Sequence, residues 1–166
     1  MFKVDDLIMY GTTGVCRICK IGTPDFAADQ GWEYYFLEPL YQNGIIYAPV
    51  ENEKTSMRPV ISAIKAKKLI KGIEDIEVKE FVAHSLQQLS QNYQEVIDEH
   101  SCEALLMLTK SICAKEKDAE KKNKRLGQID RKYMKLAEEL LYGELAVALG
   151  KQRDEIAEMV RTKLYS

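Results

Sequence analysis

The feature that most constrains this chain is a change of hydrophobic period at Arg58-Pro59. Before it, apolar residues come in short runs separated by Gly, Pro and Asn; after it, they recur at spacings of three and four. The first pattern predicts strands and the second helices. The run Asp6–Gly11 leads through Thr12-Thr13-Gly14 into Val15–Ile21, which reads as strand, turn, strand. Strict alternation sends Val15, Arg17 and Cys19 to one face and Cys16, Ile18 and Lys20 to the other. A polar loop, Gly22 to Gly31, precedes the aromatic run Trp32–Leu37, which suits a strand. Asn43-Gly44 is a hairpin signal, and Ile45–Val50 follows it. Pro49 fits an edge strand better than a sheet centre.

Beyond residue 60 the pattern predicts a short helix over Ile64–Ile70, closed near Gly72. Val78, Phe81, Val82, Leu86, Leu89, Tyr93, Val96 and Ile97 then form one periodic series. Ser101 is the expected cap of the next helix, which turns Leu105, Leu108 and Ile112 inward. Residues 115–125 read as a charged helix end plus a loop. A long helix over Ile129–Leu149 stops at Gly150, and a last one covers about 154–164. The expected fold class is α+β: a small SH3/Tudor-like β-barrel over residues 1–60, then an all-α domain over residues 61–166.

A chain of 166 residues with 46% hydrophobic and 30% charged residues has the composition of an ordinary globular protein. No apolar run approaches the roughly 20 residues of a membrane span, and Asp5 and Asp6 break the apolar core that a signal peptide needs. The expected location is the cytoplasm, with no membrane partner. Cys16 and Cys19 are spaced C-x-x-C, but no second such pair exists, and His84 and His100 are remote. On a strand the two thiols diverge, so reduced, packed cysteines are expected and no metal or cofactor. There is no phosphate-cradling glycine loop, no H-E-x-x-H and no G-x-S-x-G, so no enzyme activity is expected. Charge is uneven. Residues 1–60 hold five Lys/Arg against eight Asp/Glu, net −3, while residues 110–135 hold ten against four, net +6. The two halves therefore suit different partners.

Three segments, in order, carry a resemblance. Phe2-Lys3-Val4-Asp5-Asp6, with Val15 after Gly14, is similar to an F-K-V-G-D…Y…G start. Tyr47-Ala48-Pro49-Val50-Glu51-Asn52 followed by Met57-Arg58-Pro59-Val60-Ile61 is similar to V-P-x-x-N…G-x-R-P-V-I. Leu140-Leu141-Tyr142-Gly143-Glu144-Leu145-Ala146 is similar to L-L-Y-G-E-L-A. Together they resemble the CarD/CdnL family of bacterial transcription regulators, whose N-terminal Tudor-like module is shared with transcription-repair coupling factor.

The resemblance implies a module that binds the RNA polymerase β subunit by adding its sheet edge to a polymerase sheet. Ile45, Ile46, Tyr47, Pro49 and Arg58 become the candidate polymerase-binding residues, with Tyr47 or Ile46 facing the partner. It also implies a helical domain that touches promoter DNA through basic residues and a Trp wedge, and so modulates the stability of the open promoter complex. Here the only Trp is Trp32. With the family's Arg-Arg-Tyr run placed on Gln91-Asn92-Tyr93, the wedge position falls near Leu89, which helical spacing reads as buried. Lys115, Lys121, Lys122, Lys124, Arg125, Arg131 and Lys132 are the candidate phosphate contacts. Two alternatives stay open. One is a divergent paralogue that binds polymerase without a DNA wedge. The other is an unrelated small hydrolase or metal-binding protein built on Cys16 and Cys19.

Overall fold

A computed structural model describes residues 1–51 and 54–166. Asn52, the last residue of one resembling segment, lies outside the described residues. The chain divides into two compact units, Met1–Val60 and Ile61–Ser166.

The first unit is one antiparallel sheet of five strands: β1 (Leu7–Tyr10), β2 (Gly14–Gly22), β3 (Tyr34–Pro39), β4 (Ile46–Pro49) and β5 (Met57–Pro59). Their order is β4-β3-β2-β1-β5. The sheet is open, and β4 and β5 are its two edges. Both are short and both end in proline, whose missing N–H falls on the outward side of the edge. One face closes over Ile8, Cys16, Ile18, Tyr35, Leu37 and Ala48, with Ile46 of β4 and Met57 of β5 packed against the same cluster.

Strict alternation fails in β2. The register slips between Ile18 and Lys20, where Ile18 faces Leu37 and Lys20 faces Phe36. Cys19 is the extra residue of this bulge. The slip puts Ile21 instead of Lys20 on the core side, and Ile21 packs against the cluster while Lys20 is exposed.

The second unit holds five helices: α1 (Ala63–Lys71), α2 (Leu86–Asp98), α3 (Cys102–Lys121), α4 (Gln128–Leu149) and α5 (Arg153–Leu164). Ser62, Ser85 and Ser101 cap the first three, each accepting a backbone N–H of the first turn. Left-handed residues follow the ends of three: His100 (φ 53°) after α2, Asn123 (φ 55°) after α3 and Gly150 (φ 64°) after α4. The segment Leu140–Ala146 is buried throughout, and the Glu144 carboxylate accepts the Ile61 amide at 3.1 Å. Its likeness to L-L-Y-G-E-L-A is thus seated in packing.

The periodic series beginning at Val78 is not one helix. Its first part runs as an irregular strap to Ser85, where the cap starts α2. Val78 and Val82 are exposed, while Phe81 packs edge-on against Tyr93. Polar bonds hold the strap: the Lys79 amide donates to Ser111 Oγ at 3.0 Å. Just before it, Lys110 Nζ donates to the carbonyls of Ile73, Glu74 and Ile76. A capping serine outranked a spacing that happened to be helical.

Candidate interaction surfaces

β4 carries the candidate polymerase contacts. It follows the Asn43-Gly44 turn, where Gly44 has φ +110°, a conformation that favours glycine. Leu37 faces Ile46, Phe36 faces Tyr47, Tyr35 faces Ala48 and Tyr34 faces Pro49. The Val50 amide donates to the Glu33 carbonyl at 3.0 Å, so residues 46, 48 and 50 bond to β3. The alternation of an antiparallel ladder then points the N–H and C=O of Tyr47 and the C=O of Pro49 away from the sheet. Side chains alternate in step. Ile46 and Ala48 pack on the core, and Tyr47 stands on the outer face, 44% exposed. Ile45, just before the strand, is exposed, and Pro49 is half-buried.

Arg58 does not join this group. It lies on β5, the opposite edge, opposite Met9 of β1, and its guanidinium donates to the Pro59 carbonyl at 3.2 Å. Adjacent motifs along the chain ended on opposite edges, because β1 to β3 lie between them.

In the helical unit the candidate DNA contacts separate into two groups. Lys115 is half-exposed, and its Nζ sits 2.9 Å from Asp130 Oδ1. Asp130 is 4% exposed, and its Oδ1 also accepts the Tyr93 hydroxyl at 2.5 Å. Burial and then this carboxylate push the Tyr93 phenol far above its ordinary range, so it stays a donor. Lys115 thus neutralises a buried carboxylate at the start of α4 and is withdrawn as a phosphate contact. Leu89 is withdrawn too. It is 8% exposed and packs inside, whereas a wedge must be free. The exposed apolar side chain of that helix is Leu86, at its first position and 72% exposed, which the periodic reading had turned inward. The pairing of Ser85 as cap with Leu86 beside it was the sequence signal for this.

Lys121, Lys122, Lys124 and Arg125 are all exposed around the α3–α4 loop, with Lys122 paired to Asp118 at 3.2 Å. Arg131 and Lys132 are exposed on the first turns of α4, and Lys132 Nζ lies 5.4 Å from the Tyr133 ring centroid. Arg131 also borders a cavity of about 390 Å³ between α4 and α5. There Lys135, Arg153 and Arg161 are balanced by Glu116, Glu138, Glu139 and Asp154, which leaves no net cationic site.

Cys16 is fully buried in the β-core, and burial pushes its thiol up to about 11. Cys19 donates its thiol to the Phe36 carbonyl at 3.2 Å. Among the described residues, no group of three His, Cys, Asp or Glu is placed to hold a metal ion. No described helix is long and apolar enough to cross a membrane.

Comparison with known proteins reaches the first unit. Residues 2–61 match the family model of the CarD-like/TRCF RID domain, a span that coincides with the five-stranded sheet and its open edges. No curated protein matches the chain. The β-unit of this protein therefore belongs to the CarD-like/TRCF RID domain family.

Proposed function

We propose that this protein is a transcription regulator that binds the RNA polymerase β subunit along β4 and meets promoter DNA through the basic α3–α4 loop. It does so without catalysing a reaction. RID domains of CarD and TRCF are polymerase β-subunit interaction domains. The observation that carries the reading for this chain is the free edge of β4, where Tyr47 presents an unbonded amide and carbonyl within such a domain. Strand addition needs that arrangement: backbone groups give affinity and alternate side chains give selectivity. Tyr47→Asp is the clean probe, because its side chain lies outside the core. Binding to purified β subunit should fall by about tenfold or more with the melting curve unchanged. Wild-type affinity in a folded Tyr47→Asp protein would reject β4 as the contact.

Contact with DNA in this reading is electrostatic and sequence-blind. Lys121, Lys124, Arg125, Arg131 and Lys132 would act on a promoter that polymerase already holds, where tethering raises the effective concentration. Such a protein shifts the closed–open equilibrium only by contacting the two states differently. Reversing Lys124, Arg125, Arg131 and Lys132 to Glu should weaken promoter association and flatten its salt dependence by about 0.9 log units per lost phosphate contact. An unchanged salt slope would remove DNA from the mechanism. The burial of Leu89 favours a second reading, the paralogue that lacks a wedge at that position. Leu86 is the side chain through which a wedge would have to act.

A further inference from the structure

Four aromatic rings stand together on the face of the β-sheet that points away from its core. Tyr34 and Phe36 come from β3 and Tyr47 from β4. Phe26 comes from a short 3-10 turn, Asp25–Ala27, in the loop between β2 and β3. The Phe26 ring meets Tyr34 at 5.5 Å and Tyr47 at 5.3 Å between centroids, and Phe36 meets Tyr47 at 4.9 Å, all edge-on. Lys20 Nζ lies 5.1 Å from the Phe36 centroid. None of the four rings belongs to the core cluster, and Phe26 is 67% exposed. Contiguous rings left to water on an otherwise acidic unit mark a contact surface.

We propose that this aromatic face is the side-chain half of the polymerase contact, and that it receives an apolar side chain from a β-subunit strand laid along β4. The proposal rests on the edge-pairing reading given above. Tyr47 makes the connection, because its backbone N–H and C=O lie on the free edge while its ring belongs to the aromatic set. A partner residue opposite Tyr47 must project on the same face as the Tyr47 ring, with Cβ atoms about 4.5–5.5 Å apart. Its side chain then lands beside Tyr47, whose ring is backed by Phe26 and Phe36. An aliphatic or aromatic group there exchanges water for ring contacts. An ammonium there would meet the like charge of Lys20, already seated over the Phe36 ring. The backbone of β4 therefore supplies pairing with any strand, and the rings select which residue can sit at that register.

The test uses the full chain and purified polymerase β subunit, with affinity and thermal melting measured for Phe26→Ser, Phe26→Leu and Tyr47→Pro. Phe26 lies outside the strands and is mostly exposed, so its variants should melt as wild type. The expected result is about tenfold weaker binding for Phe26→Ser, binding within a few-fold of wild type for Phe26→Leu, and loss of binding for Tyr47→Pro, which removes the outward N–H. Wild-type affinity in Phe26→Ser and in Tyr47→Ala, with loss in Tyr47→Pro, would overturn the aromatic face and leave edge pairing intact. Wild-type affinity in Phe26→Ser and in Tyr47→Pro would overturn both. Weakening in Phe26→Ser alone would show a ring contact without strand addition, which also overturns the proposal. If Tyr47→Pro melts early, Tyr47→Ala compared with Phe26→Ser decides the ring contact alone.

Discussion

The two units treat their conspicuous residues in opposite ways. The β-unit, net acidic, leaves aromatic rings outside its sheet and the Tyr47 amide unbonded on the β4 edge. The helical unit, net basic over residues 110–135, turns several of its lysines inward. Lys110 is surrounded by three carbonyls, Lys115 is paired with buried Asp130, and Lys117 donates to the Leu164 carbonyl beneath the Tyr165 ring. These three cations fasten the segment before the strap, the start of α4 and the end of α5 to α3. A run of positive charge in a sequence is therefore a poor measure of positive surface. A lysine's long stem lets its ammonium reach an acceptor on a neighbouring element. The basic surface that remains is concentrated in the α3–α4 loop and the first turns of α4.

The sharpest way to break this comparison is to remove a lysine of each kind. Lys115→Met takes the ion-pair partner from the buried Asp130 carboxylate, which keeps the Tyr93 hydroxyl, and should cost about 1.5–3 kcal/mol, as losing a hydrogen bond to a charged group does. Lys124→Met removes an exposed cation and should change stability by less than about 0.5 kcal/mol. Urea unfolding of the two variants gives the difference. Equal stabilities would mean that Asp130 does not depend on Lys115, and would return Lys115 to the pool of possible phosphate contacts.

A smaller effect separates the two leucines of α2. Leu89 is packed, so Leu89→Trp overfills the helical core and should cost about 1–3 kcal/mol. Leu86 is exposed at the helix start, so Leu86→Trp should leave stability within about 0.5 kcal/mol. The functional readout is the lifetime of the open promoter complex. Stacking of an aromatic on an exposed base is worth about 1–3 kcal/mol, so Leu86→Trp should lengthen the lifetime several-fold. A stable Leu86→Trp protein with an unaltered lifetime would place the start of α2 away from the bubble edge and favour the paralogue without a wedge.

How far the sequence can be read follows from the range of each signal. The change of period at Arg58-Pro59 is local and cumulative over many residues, so the first four strands, the helices after residue 85 and the caps at Ser101 and Gly150 were visible, while the three-residue β5 was not. Alternation sends Ile46 and Tyr47 to opposite faces, and the fold seats Ile46 on the core. The misses share one cause: they depend on partners distant in the chain. Lys79 and Ser111 hold the strap that interrupts the apparent helix at Val78. Tyr93, Lys115 and Asp130 meet from three helices. Arg58 is placed by strand order and not by its nearness to Pro49. The aromatic face was missed because Phe26 lies in a loop that reads as polar, and only folding sets it against Tyr34 and Tyr47.

The last expected effect concerns the two cysteines of β2, and it tests how tightly the core side of that strand is closed to solvent. Cys16 is buried on the core side and its thiol is raised from 9.0 to about 11 by burial. Folding therefore holds the Cys16 proton at a pH where the unfolded chain releases it. The contribution is complete below the unfolded value of about 9 and is lost as pH rises toward 11. In that window stability should fall by up to about 1.4 kcal/mol per pH unit from this group. Cys19, displaced by the bulge, is only half-buried and reaches the Phe36 carbonyl. In the native protein at pH 8, a small alkylating reagent should label Cys19 well before Cys16, with the order read by peptide mass analysis. Equal labelling would mean that the core under β2 opens readily and that burial gives Cys16 no protection.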